Sequence, residues 1–117
     1  MADDRRDIFD PVAFERQTGG DAALRAEIIQ MFLEDCPGRV DEIRAAVAAA
    51  DARALISAAH ALKGSAAYLS ASTVRARAAD LERLGRDGNV AAAPALFAQL
   101  ETAVAHLLEE LKNVHGQ

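Results

Sequence analysis

His60, Lys63 and Gly64 stand in the run His-Ala-Leu-Lys-Gly-Ser-Ala-Ala-Tyr-Leu-Ser-Ala over residues 60–71. In a helix, residues three and four apart share a face, so an imidazole, an ammonium and a missing side chain come together. Neutral imidazole is available as a nucleophile near pH 7. A lysine one turn away supplies positive charge for a phosphoryl group, and glycine leaves the approach open. The chemistry that suits this set is phosphoryl transfer, which demands positioning and charge neutralisation above all.

Glycine in a helix interior costs about 1 kcal/mol relative to alanine. Alanine abounds around Gly64, so the glycine has a reason other than stability. Either another molecule approaches closely there, or a neighbouring helix of the same fold does. The direction of Gly64 decides between them. At about 100° per residue, Leu55, Ala59, Leu62, Ala66 and Leu69 fall within roughly 40° of one line. That is a heptad-like apolar seam, the core stripe of a bundle helix. On the same wheel His60 lies about 140° from the seam, Gly64 about 180° and Lys63 about 80°. His60 and Gly64 therefore look away from the core, with Ile56 and Ala67 flanking them as apolar members of an exposed patch.

The elements that must hold this face are legible as helices. Asp10-Pro11 starts a short one that runs to Gln17 and ends at Gly19-Gly20. Asp21 caps the next, with Leu24, Ile28, Met31 and Phe32 on one side. Pro37 removes a backbone donor, which predicts a kink or break before Val40, Ile43, Val47 and Ala50 resume the seam. Asp51 caps the helix of His60. Ser70 or Ser72 starts the following helix, with Val74, Ala78, Leu81 and Leu84 apolar, and Gly85-Arg-Asp-Gly-Asn ends it. The last helix begins near Val90 or Pro94 and carries Leu96, Leu100, Val104, Leu107 and Leu111, with Phe97 and Leu108 beside them. Short connections between long amphipathic helices predict an all-α chain: an up-down antiparallel four-helix bundle with a short extra N-terminal helix. Residues 1–117 read as one domain, with 1–9 and 113–117 expected to fray.

Composition narrows the function classes. The 117 residues are 51% hydrophobic but only 4% aromatic, a mix that favours packed helices over a sheet sandwich. A net charge of −5 argues against nucleic-acid binding. Cys36 is the single cysteine and has no disulfide partner within the chain, which fits a reducing compartment. Neither a signal peptide nor a membrane span is expected, so the cytoplasm is the default location. No glycine-rich nucleotide loop is present, and one bundle leaves no room for an ATP-binding domain. Glu-x-x-His motifs of di-metal bundles are missing, so no metal site is expected.

The chain resembles the histidine-containing phosphotransfer (HPt) domains of two-component phosphorelays. The resemblance is carried by His60-Ala61-Leu62-Lys63-Gly64-Ser65 and then Leu69-Ser70-Ala71, by the run from Asp51 to Ala59, by Leu81-Glu-Arg-Leu-Gly-Arg-Asp-Gly, and by Met31-Phe-Leu-Glu-Asp-Cys-Pro. It implies a phosphocarrier without autokinase activity. His60 would attack an aspartyl phosphate on a response-regulator receiver domain or a hybrid sensor kinase, then pass the group to another receiver aspartate. Lys63 would balance the phosphoryl charge. Magnesium would belong to the receiver partner, leaving this chain with no cofactor of its own. The resemblance also implies a polar residue on the next helix that orients the imidazole, and Glu82 sits at about the matching position. Glu82 equally fits a surface pair with a nearby arginine. The family usually has glycine where this chain has Ser70, and a serine there is expected to cap the following helix.

Blander roles suit the other candidates. His106 lies off its seam and His115 is in the tail, so both read as solvated. Ser65 bonds back to a carbonyl one turn earlier, and Cys36 packs as a small hydrophobe. The alternative function is a phosphorylation-independent adaptor that binds a signalling partner through the same exposed patch. A monomer suffices for either role.

Overall fold

Four long helices form a ring in which each packs on the next in sequence and the last closes on the first. The computed structural model describes residues 4–115. Two short helices, α1 (Asp4–Ile8) and α2 (Pro11–Gln17), precede α3 (Ala22–Ala48), α4 (Ala52–Tyr68), α5 (Ser72–Asp87) and α6 (Ala93–His115). Helix α4 packs on α3 and α5, and α6 packs on α5 and α3. Three-residue connections after α3 and α4 make neighbours antiparallel. Helix α5 reaches α6 through Gly88, Asn89 and a single 3-10 turn over Val90–Ala92.

Capping fixes where the helices begin. Asp10, Asp21 and Asp51 each accept a hydrogen bond from the backbone N–H three residues on, at 3.0, 3.0 and 3.1 Å. Gly88 ends α5 in the left-handed conformation at φ 72°. Thus Gly85 lies within the helix, and the terminator is the second glycine of the run.

Several expectations need correction. Serine caps nothing at the start of α5: Ala71 holds the capping position, with no side-chain bond. Ser70 takes φ 57°, and its hydroxyl donates to Gln17 Oε1 at 2.8 Å. A left-handed turn residue is where glycine is favoured, and its side chain is turned away from the next helix. The break at Pro37 is also not seen. Helix α3 continues through it, with Cys36 and Val40 buried on either side. One missing donor costs one bond, and burial on both sides outweighs it. The inner face of α3 is rotated from the expected one: Ile29, Phe32 and Cys36 are buried, Ile28 is half-buried, and Leu24 and Met31 are exposed. Segment 1–9 holds α1, and Phe9 is buried against Phe14, ring centroids 5.6 Å apart edge to face. Residues 1–3 lie outside the described residues. At the other end α6 stays helical through His115, anchored by buried Leu107 and Leu111; residues 116–117 lie outside the described residues.

By length and composition α6 is apolar enough to cross a membrane. In this fold its stripe Ala93, Phe97, Leu100, Val104, Leu107 and Leu111 is buried in the bundle core.

Candidate functional site

Helix α4 presents its faces as the wheel requires. Leu55, Ala59, Leu62, Ala66 and Leu69 are all fully buried. His60, opposite them, has a side chain 65% exposed. A Cβ built on Gly64 meets nothing within 4 Å. The helix-contact explanation for Gly64 is thereby removed, and the glycine opens the surface beside His60. The close contact lies instead at Gly85 on α5, where a Cβ would come within 2.7 Å of Ile56 Cγ1 and 3.0 Å of the Ala52 carbonyl oxygen. Glycine there lets α5 lie tight against α4.

That closeness brings Glu82 under the imidazole. Glu82 is one turn before Gly85, on the inner side of α5, and is only 3% exposed. Its Oε2 lies 3.1 Å from His60 Nδ1, and its Oε1 lies 2.7 Å from Lys63 Nζ. Arg86, one turn further along α5, donates from Nη2 to the same Oε2 at 2.5 Å. Two oxygens thus serve three nitrogen donors. Burial by itself would raise the Glu82 pKa. Hydrogen bonds from Lys63 and His60, with the charges of Lys63 and Arg86, outweigh burial and hold the carboxyl below the usual carboxylate range. An ionised carboxylate only accepts, so the bond from His60 assigns the proton to Nδ1. In the neutral ring Nε2 then keeps the lone pair and faces away from Glu82 as the free acceptor nitrogen.

Flanking residues behave less simply. Ile56 and Ala67 are half-buried: Ile56 lies along Gly85, and the Ala67 carbonyl accepts from Gln17 Nε2 at 3.2 Å. They border the exposed face more than they build it. Exposed apolar character comes from Tyr68 and Met31, which rim an apolar groove between α3 and α4 with Ile28, Phe32 and Ser65. Ser65 Oγ bonds back to the Ala61 carbonyl at 3.2 Å, as expected. Cys36 also lines the groove, and burial pushes its thiol up to about 11, so it is a packing residue with little thiolate. His106 is exposed on α6. Among the described residues no cluster of three or more His, Cys, Asp or Glu side chains suited to a metal is present.

Sequence reasoning missed Arg86 as a member of this group. Its signal was the four-residue spacing from Glu82, which also describes any surface ion pair on a helix.

Residues 27–113 match the model of the Hpt domain, a span that includes His60, Lys63, Gly64, Glu82 and Arg86. The chain belongs to the Hpt domain family. Among solved structures, this Hpt domain is similar to histidine-containing phosphotransfer protein B from Pseudomonas aeruginosa PAO1, with a TM-score of 0.86 and 26% identity over 92% of this chain and 94% of that one. It is also similar in fold to the Hpt domain of a sensor hybrid histidine kinase from Shewanella, with a TM-score of 0.87 and 19% identity over 96% and 97% of the two chains. A comparison with curated proteins finds no match. Histidine phosphotransfer in a two-component phosphorelay is the function of this Hpt domain.

Proposed function

We propose that His60 is the phosphoryl acceptor. Its Nε2 attacks the phosphorus of an aspartyl phosphate on a receiver domain, and the phosphohistidine formed passes the group to an aspartate of another receiver. The observation that carries this reading is an exposed imidazole whose Nδ1 is tied to a buried, ionised Glu82. Such a bond fixes the ring and its tautomer before the partner arrives, so little ordering remains for the reaction itself. Glu82 orients the imidazole, Lys63 neutralises the incoming charge, and Gly64 admits the receiver's active site. Ile56 and Ala67 border the docking face. Magnesium is supplied with the receiver's acidic site, and this chain needs no cofactor.

Receiver domains, free or attached to a hybrid sensor kinase, are the partners in this account. We further propose that the domain works in the cytoplasm as a monomer. Its acidic charge, its unpaired buried thiol and the use of α6 as a core helix support that placement.

Incubation with a phosphorylated receiver tests the acceptor. Wild-type protein should take up an acid-labile, base-stable label, and His60→Gln should take up none while keeping the same helical circular dichroism. Label that persists in His60→Gln contradicts the assignment. Unchanged partner binding and full signalling by the unlabelled variant would establish the adaptor role instead.

A further inference from the structure

Arg86 has a place in the site that goes beyond a surface ion pair with Glu82. Its side chain is 61% exposed, yet it reaches Oε2 of a carboxylate buried below the surface. That oxygen is the one bonded to His60, while Lys63 holds the other. We infer that Arg86 is a positioning residue for phosphotransfer: it keeps buried Glu82 neutralised so that Lys63 is free to turn from Glu82 to the phosphoryl group.

The inference rests on His60 being the acceptor, and the charges around Glu82 carry it. In the step, a bond forms from Nε2 to phosphorus, and the bond from phosphorus to the aspartyl oxygen breaks. The aspartate leaves as carboxylate with the electron pair. The Nδ1 proton stays in place, so imidazole becomes imidazolium and one positive charge appears beside Glu82. A dianionic phosphoryl group arrives on the outer nitrogen at the same moment. Lys63 is the cation nearest in sequence, but it begins the step 2.7 Å from Glu82 Oε1. A buried carboxylate stripped of partners is costly. Arg86 holds Oε2 throughout, so with the new imidazolium Glu82 keeps two cationic partners after Lys63 leaves. Without Arg86, Lys63 is needed in two places at once.

Arg86→Gln, Arg86→Lys and Lys63→Ala, singly and with Arg86→Gln combined with Lys63→Ala, test the inference. Phosphoramidate, a small donor with ammonia as leaving group, labels the histidine without any receiver, so docking does not enter. Arg83→Gln removes an equal charge from an exposed site on the same helix and serves as control. Arg86→Gln should slow labelling and shorten the life of the label by about threefold to tenfold, the range for a charge-assisted bond to a partly exposed partner. Arg86→Lys should restore most of the loss, and Arg83→Gln should match wild type. Lys63→Ala should have a smaller effect in the Arg86→Gln background than in wild type, because Lys63 is then held on Glu82. Wild-type labelling by Arg86→Gln, strictly independent effects of the two substitutions, or equal loss in Arg86→Lys and Arg86→Gln would each overturn the inference. Loss of label in His60→Gln separates these outcomes from failure of the acceptor assignment, and thermal melts separate them from misfolding.

Discussion

Two glycines, each replaced by alanine, should move stability in opposite directions. Gly64 faces open space. Alanine there meets no neighbour and gains helix propensity, a stabilisation of about 1 kcal/mol. For a chain of this size that raises Tm by roughly 3–5 °C. Gly85 offers the same intrinsic gain, but its Cβ would stand 2.7 Å from Ile56 Cγ1 and 3.0 Å from the Ala52 carbonyl. A side-chain carbon can rotate away, whereas a helix carbonyl cannot. Overpacking of this kind costs about 1–3 kcal/mol, which cancels or exceeds the propensity gain. Helix α5 must then back away from α4, and the 3.1 Å bond between His60 and Glu82 is one turn from the wedge. Gly85→Ala should therefore melt no higher than wild type and transfer more slowly. Gly64→Ala should melt higher, and the larger Gly64→Gln should transfer more slowly because it obstructs the receiver. Circular-dichroism melts and receiver-to-protein transfer rates measure both. A Gly85→Ala protein more stable than wild type, or a Gly64→Gln protein with wild-type transfer, would refute this geometry.

Other predictions concern the scaffold and its charge. Leu62→Ala, at a fully buried seam position, should lower stability by about 2–5 kcal/mol in denaturant titration, and an unchanged midpoint would mean α4 is rotated. Ala50 closes α3 at φ 52°, so Ala50→Gly should stabilise by about 1 kcal/mol; a loss would show that the left-handed turn is misassigned. Glu82 has a folded pKa held below its usual value, so its stabilisation is fully present above the ordinary carboxyl value of 4.5 and is lost as pH falls through the folded value. The stability difference between wild type and Glu82→Gln should therefore be constant at neutral pH and shrink only below about pH 4.5. A difference that already fades near pH 7 would contradict the ion-pair cluster.

Much of this was legible in the sequence because α4 is unambiguous. Its leucines and alanines recur on one line, and only one rotation buries Leu55, Leu62 and Leu69 together. That rotation fixes where His60 and Gly64 point. Helix α3 was harder to read. Leu24, Ile28, Ile29, Met31, Phe32 and Leu33 cover several faces, so periodicity does not choose between burying Ile29 and burying Met31. Tertiary packing chooses Ile29 and leaves Met31 and Tyr68 at the rim of the groove. Glu82 had two competing readings, an orienting group and a partner for an arginine. The structure shows the arginine partner and, on the same carboxylate, the contact to His60 that the orienting role requires, since its two oxygens meet His60, Lys63 and Arg86 together. Nothing in residue spacing foretold that a carboxylate in so charged a helix would be buried. That depends on Gly85 letting the helices close, which appears only in three dimensions.

At the centre of the site stands the proposed outward Nε2 nucleophile of His60, with Nδ1 kept protonated by Glu82. Heteronuclear NMR of the 15N-histidine protein, phosphorylated by its receiver, reads this directly through phosphorus–nitrogen coupling. Coupling to His60 Nε2, with a proton retained on Nδ1, is the predicted result. Phosphorus on Nδ1, or on any residue other than His60, would contradict it.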